Sequence, residues 1–195
     1  MKIGVLALQG AFREHINMLR TLGEEAVEVR KAEELAELSG LIIPGGESTT
    51  ITKLLYTFGL SKPVKDLAHN GMPVWGTCAG MICLAKELSG DISGVKTLEL
   101  MDITVRRNAF GRQVDSFEAM LKVKALEGGD FPAVFIRAPL VEKTGQGVEV
   151  LAKLPDGTMV AVRENNLLAT SFHPELSADN RFHRYFVQMA KDYKP

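Results

Sequence analysis

Short apolar runs alternate with amphipathic ones through the first part of this 195-residue chain, and each switch is marked by small or turn-forming residues. Residues 2–8, 26–30, 40–43 and 72–75 read as strands. Between them, residues 11–22 place Phe12, Ile16 and Leu19 on one helical face. Residues 32–38 read as a short helix, and residues 48–58 and 61–70 as two more, with Ser48 the expected N-cap and Gly71 the stop. Strands that alternate with helices can pair in parallel only through crossovers. The pattern therefore implies a parallel sheet with helices on both faces.

The second half changes character. Strand signals at residues 102–106, 119–124, 133–136, 148–153 and 159–162 are separated by Gly, Pro and Asp turns. Pro155-Asp156-Gly157 predicts a hairpin between the last two. Residues 167–172 read as a final strand. Residues 180–193 read as a final helix with Phe182, Phe186, Met189 and Tyr193 on one face. The expectation is an α/β chain with a mostly parallel central sheet and extra β-hairpin strands late in the sequence. The length suits one domain spanning 1–195.

Composition excludes several functions. A formal net charge of −1 and the lack of a Lys/Arg block leave no electrostatic footprint for nucleic acid. No apolar run approaches the roughly 20 residues that span a bilayer. The N-terminus, with one charge and a short apolar stretch, reads as a strand and not as a signal peptide. Two cysteines, Cys78 and Cys83, without an export signal point to a reducing cytoplasm. Their spacing disfavours a disulfide, and metal-ligand spacing is absent.

Gly76-Thr77-Cys78-Ala79-Gly80 lies between the strand at 72–75 and a mostly apolar run at 81–88 that reads as a helix. It has the form of a nucleophile elbow with sulfur in place of oxygen. The turn is sharp, so glycine is needed where a β-carbon would not fit. The following helix aims its N–H groups and positive dipole end at the sulfur. On these five residues alone, a buried structural cysteine in a Gly-rich turn fits equally well.

A nucleophilic thiol needs a base, and the base needs an orienting partner. His15 and His183 lie among charged neighbours on helices, and His69 is near a helix C-terminus. All three read as solvated. His173 differs, standing just past a strand within Phe172-His173-Pro174-Glu175. Ligands of open parallel sheets bind beyond the carboxyl ends of strands, where both Cys78 and His173 would sit. Glu175 is close enough to reach the far ring nitrogen of His173.

A second Gly-rich turn, Pro44-Gly45-Gly46-Glu47-Ser48-Thr49-Thr50, also joins a strand to a helix. Its backbone N–H groups, at Gly45 and Gly46, can join that of Ala79 in an oxyanion hole. The pattern is not a P-loop, because no Gly-Lys-Ser/Thr follows, and Gly4 and Gly10 make no dinucleotide fingerprint. Arg107 within a cationic segment and Arg137 after Ile136 can bind a carboxylate through the guanidinium fork. Surface arginines paired with acids are the commoner use of such residues.

Together these residues resemble the class I, or triad, glutamine amidotransferases. The closer resemblance is to the glutaminase subunits of pyridoxal 5'-phosphate synthases. It rests on Leu6 to His15, on Pro44 to Thr50, on Arg107 to Glu118, on Phe135 to Pro139 and on Ser171 to Leu176, and spans nearly the whole chain. The resemblance implies a flavodoxin-like three-layer fold that releases ammonia from L-glutamine for a separate (β/α)8-barrel synthase subunit. It implies Cys78 as nucleophile, with His173 and Glu175 completing the triad. Glutamine would be held by Gly46, Glu47, Ser48, Arg107, Ile136 and Arg137. Gln9 and Gly10 match a family segment that rearranges when the synthase docks, and such glutaminases are weak alone. No cofactor or metal is implied, since pyridoxal phosphate is the product of the assembly. The alternatives are the glutaminase of imidazole glycerol phosphate synthase, a thiol hydrolase of the same fold and an inactive regulatory scaffold.

Overall fold

The structure, a computed structural model, describes residues 1–90, 92–107 and 116–193. The chain opens with β1 (Lys2–Leu6), α1 (Phe12–Thr21), β2 (Glu25–Val29), β3 (Gly40–Ile43), α2 (Ser48–Thr57), α3 (Ser61–His69) and β4 (Val74–Thr77). Next come α4 (Ala79–Leu84), β5 (Ala85–Ser89), β6 (Met101–Arg106), β7 (Ser116–Leu121), β8 (Phe131–Ile136) and β9 (Leu140–Thr144). Then follow β10 (Glu149–Lys153), β11 (Met159–Glu164), β12 (Leu167–Thr170) and α5 (Arg181–Asp192).

The heart of the molecule is a parallel run in the order β2-β1-β3-β4-β12. This is the flavodoxin-like strand order. These strands are covered on both faces, so their side chains alternate between two apolar clusters. Ile3, Val5, Ile42, Trp75 and Leu168 point to one side, where they meet Ile16 and Leu19 of α1, Phe182 and Phe186 of α5, and Phe131 and Phe135 of β8. Leu6, Leu41, Ile43, Val74 and Ala169 point to the other, against Ile51 and Leu55 of α2, Val64 of α3 and Met81 of α4. The three-layer α/β expectation therefore holds.

Beyond β12 the sheet turns antiparallel. β11 pairs with β12, and β10 and β9 pair with β11. β9 continues to β6, and β5 closes the edge parallel to β6. β7 and β8 form a separate antiparallel pair. The hairpin at Pro155-Asp156-Gly157 is present, with the Leu154 N–H donating to the Thr158 carbonyl at 2.9 Å.

Several local expectations need correction. The helix after the elbow ends at Leu84, not Leu88, because Ala85 turns extended (φ −60°, ψ 141°) and begins β5. Leu84 and Leu88 are four residues apart, which imitates helical spacing. The segment at 32–38 is only a 3-10 turn over Ala32–Leu35. The strand expected at 119–124 lies earlier, at Ser116–Leu121. Neither β5 nor β9 was anticipated. Glu47, not Ser48, caps α2, its carboxylate accepting from the Thr49 and Thr50 N–H groups.

Helix and sheet approach closely at the start of α4. A β-carbon on Gly80 would stand 2.0 Å from the Ile43 carbonyl oxygen, and one on Gly76 would stand 2.4 Å from the Gly80 carbonyl. Gly80→Ala must push α4 away from β3. It is expected to destabilise the fold by about 1–3 kcal/mol, read as a lower denaturant midpoint at constant slope. An unchanged midpoint would show that the helix can retreat without loss.

Candidate active site

β1, β3, β4 and β12 run parallel, so their carboxyl ends meet at one edge of the sheet. The loops that follow them carry Gln9, Gly45-Gly46-Glu47, Cys78 and His173 respectively. They surround a cleft of about 340 Å³. Gln9, Gly46, Glu47, Ser48, Cys78, Ala79, Arg107, Ile136, Arg137 and His173 all line it, together with Ile82 and Pro139. Gly10, Gly45 and Glu175 stand behind this wall. Asn108 to Asp115, which carry part of the motif that begins at Arg107, lie outside the described residues.

Cys78 sits in a left-handed backbone conformation with φ 50° and ψ −106°. Such a conformation costs on the order of 1–3 kcal/mol for a residue with a side chain and persists only where its surroundings fix it. Here they do. The Cys78 N–H donates to the Thr170 carbonyl of β12 at 2.8 Å, and the Cys78 carbonyl accepts from the Met81 N–H at 3.1 Å. Its Sγ lies 3.8 Å from the Ile136 carbonyl oxygen. Cys83 is a different kind of thiol. It is fully buried in α4, and that burial pushes its pKa up to about 12.

His173 is anchored by its own N–H, which donates to the Val134 carbonyl of β8 at 2.8 Å. Its Nδ1 is 2.7 Å from Oε1 of Glu175, whose side chain is entirely buried. The ring and Cys78 line the same cleft, close on either side of Gly45. Burial opposes charging of the ring, but its neighbours Cys78 and Glu175 outweigh it and raise the His173 pKa to about 10. Burial likewise opposes charge on Glu175, yet His15 and His173 hold its carboxyl below the usual range. Acid and imidazole thus lead from the interior to the cleft that Cys78 also lines.

The Gly-rich turn after β3 presses directly on His173 and Cys78. A β-carbon on Gly45 would fall 2.3 Å from Cε1 of His173 and 3.2 Å from the Cys78 β-carbon. The Gly45 carbonyl accepts from the Ala11 N–H at 3.0 Å. A β-carbon on Gly10, whose φ is +101°, would meet that same carbonyl oxygen at 1.8 Å. The Glu47 N–H donates to the side-chain oxygen of Gln9 at 2.7 Å. A glutamine amide belonging to the chain itself therefore occupies part of the turn. The Glu47 carboxylate points along α2. Burial would raise its pKa, but bonds from the Thr50 hydroxyl and from the Thr49 and Thr50 N–H groups lower it to about 2. Arg107 reaches Thr49 Oγ1 at 3.4 Å and Glu47 Oε1 at 3.9 Å.

Residues 5–192 match the model of the SNO glutamine amidotransferase family. The chain belongs to this family. It is 98% identical over 195 residues to a Dehalococcoides mccartyi (strain ATCC BAA-2266 / KCTC 15142 / 195) protein named pyridoxal 5'-phosphate synthase subunit PdxT, with 100% of both chains covered. It is 59% identical over 188 residues to a protein of the same name from Herpetosiphon aurantiacus, covering 96% of this chain and 99% of that one. A crystal structure described as a glutamine amidotransferase superposes with a TM-score of 0.91 at 52% identity, covering 97% of this chain and 98% of that chain. The amidotransferase resemblance and the flavodoxin-like fold are both borne out. Among the described residues, no helix is long and apolar enough to cross a membrane.

Two residues of this amidotransferase were misjudged from sequence. His15 and His183 are not solvated; both are fully buried. The signal was present in the spacing. His15 stands four residues before Leu19, and His183 stands three before Phe186 and four before Val187, so each falls on the apolar stripe of its helix. Charged immediate neighbours concealed it. His69 is exposed, as expected.

The electrostatic coupling within the amidotransferase site is testable. Cys78→Ala removes one of the two partners that raise the His173 pKa. The imidazole should then titrate well below about 10, toward its ordinary value near 6.5, in an NMR titration of 15N-labelled histidine. An unmoved titration would show that Glu175 alone sets the value.

Proposed function

We propose that this chain is the glutaminase subunit of a pyridoxal 5'-phosphate synthase. It hydrolyses L-glutamine to L-glutamate and ammonia and passes the ammonia to a (β/α)8-barrel synthase subunit. The observation that carries the reading is the meeting of Cys78 with the His173–Glu175 pair in one cleft at the carboxyl ends of β4 and β12. The names of its relatives favour this partner over imidazole glycerol phosphate synthase. The chain works as one domain in the cytoplasm and needs no cofactor of its own.

In this mechanism the Cys78 thiolate attacks the side-chain amide carbon of glutamine. A C–S bond forms, and the carbonyl oxygen becomes an oxyanion held by N–H groups of Gly45, Gly46 and Ala79. The His173 imidazolium gives its proton to the amide nitrogen as the C–N bond breaks, releasing ammonia and leaving a γ-glutamyl thioester. Water then attacks the thioester, His173 takes the water's proton, and the thiolate departs with glutamate formed. Glu175 holds the His173 Nδ1–H and stabilises the imidazolium. The turn at Gly46, Glu47 and Ser48, with Ile136, holds the substrate's backbone groups. Arg107 and Arg137 supply guanidinium charge for its carboxylate.

The position of Gln9 favours a regulated site. Its side-chain oxygen takes the Glu47 N–H in the turn that should receive substrate. Docking of the synthase rearranges Gln9 and Gly10, frees the turn and completes the oxyanion hole.

Cys78→Ala is expected to abolish glutamine hydrolysis, measured as ammonia release with the synthase present, while leaving synthase binding intact. Retained turnover would sink the triad. Adding synthase to the wild-type chain should raise kcat more than it lowers KM, because the added interaction is made with the transition state. Equal activity with and without the synthase would refute the docking-dependent oxyanion hole.

A further inference from the structure

A second line of side chains continues behind the triad acid. Glu175 sits on a short 3-10 turn, Pro174–Leu176, and offers only Oε1 to His173. Its Oε2 is buried without a hydrogen bond of good geometry. His15 approaches it, with Nε2 3.3 Å from that oxygen. The same Nε2 lies 3.2 Å from the hydroxyl of Thr77, the residue immediately before Cys78. On the far side of the ring, His15 Nδ1 is 2.9 Å from Nε2 of His183. Trp75 packs edge-on against both imidazoles, with ring centroids 5.6 Å from His15 and 5.0 Å from His183.

The proton positions follow from this geometry. Burial lowers the pKa of both rings; for His15 the charge of Glu175 opposes the shift without overcoming it, so each carries one proton at neutral pH. Suppose His15 were protonated on Nδ1. Its Nε2 lone pair would then face a carboxylate oxygen at 3.3 Å. His183 would accept at Nε2 and hold its proton on Nδ1, which is buried and has no partner. Orphaned buried N–H groups are rarer than under-satisfied acceptors. The opposite arrangement avoids both faults. His183 Nε2–H donates to His15 Nδ1, and His15 Nε2–H donates to the Thr77 hydroxyl while turning the hydrogen-bearing edge of the ring, not a lone pair, toward Glu175 Oε2. The remaining nearby acid, Glu14, is exposed on the outer side of α1.

We propose that His15 and His183 are positioning residues for the glutaminase reaction, a buried relay that fixes the Glu175 carboxylate and keys it to the cysteine elbow through Thr77. The proposal rests on the triad reading above. Its logic is mechanical as well as electrostatic. A carboxylate on a three-residue turn is anchored from α1, α5 and β4, so the His173 ring keeps its aim as charge moves through it.

The test has two arms. In wild-type protein, 15N NMR of labelled histidines should show both His15 and His183 protonated on Nε2 and bare on Nδ1; an Nδ1–H tautomer at His15 overturns the relay. This arm needs no variant to fold. In the second arm, glutamine hydrolysis is measured with the synthase present. His15→Phe keeps a planar aromatic ring and removes the donor. It should lower kcat about 10–100-fold, in the range seen when outer partners of a reactive centre are removed, with KM changed less than about twofold. His15→Gln can place an N–H near the Nε2 position and should recover about tenfold of that loss. Full activity in His15→Phe, or no recovery in His15→Gln, refutes the relay. If Cys78→Ala is inactive while His15→Phe behaves as wild type, the relay alone fails. If Cys78→Ala still turns over glutamine, the triad reading fails instead.

Discussion

The pairing of β4 with β12 is the contact on which the cleft depends. These strands lie far apart in sequence, and their parallel register sets Thr77 beside Thr170. The ladder continues one step further, through the Cys78 N–H and the Thr170 carbonyl. That bond helps hold Cys78 in a conformation it would not adopt alone. It also fixes how far the elbow stands from His173, three residues beyond the end of β12. A slip by one residue would turn every side chain of β12 to the opposite face. Leu168 and Ala169, buried in different apolar clusters, make such a slip expensive.

Close approach of backbones does the rest. Gly10, Gly45, Gly76 and Gly80 each stand where a β-carbon would collide with backbone or with the His173 ring. The loops after β1, β3 and β4 are thereby drawn into contact, and those after β1 and β3 share hydrogen bonds. The result is a site whose parts are supported from different layers. Sulfur and imidazole come from strand ends, the turn beside them from β3, and the support behind the acid from α1 and α5.

Much of this was legible in the sequence. Period and punctuation located the parallel strands and most of the helices, because a strand buried on both faces must be apolar along its length. The elbow and the His173-Pro174-Glu175 turn were legible because their chemistry demands particular residues at particular spacings. What escaped was decided by tertiary contact. Residues 85–88 carry helical spacing, yet an open sheet edge beside β6 recruits them as a strand. Glu47 and Ser48 are both acceptable caps, and only the direction of the chain leaving β3 selects the carboxylate. His15 and His183 were masked because burial of a polar ring depends on a partner that sequence does not reveal. Each is the other's partner, on helices from opposite ends of the chain.

The contrast between the two cysteines has a practical side. Cys83 is sealed inside α4 and its proton is held tightly, whereas Cys78 opens into the cleft. A thiol-directed reagent that enters the cleft meets Cys78, and it meets Cys83 only when the layers around α4 come apart. From Cys78 at the head of α4 to Cys83 within it, five residues carry the chain from the cleft wall to a sulfur whose exposure reports the opening of the core.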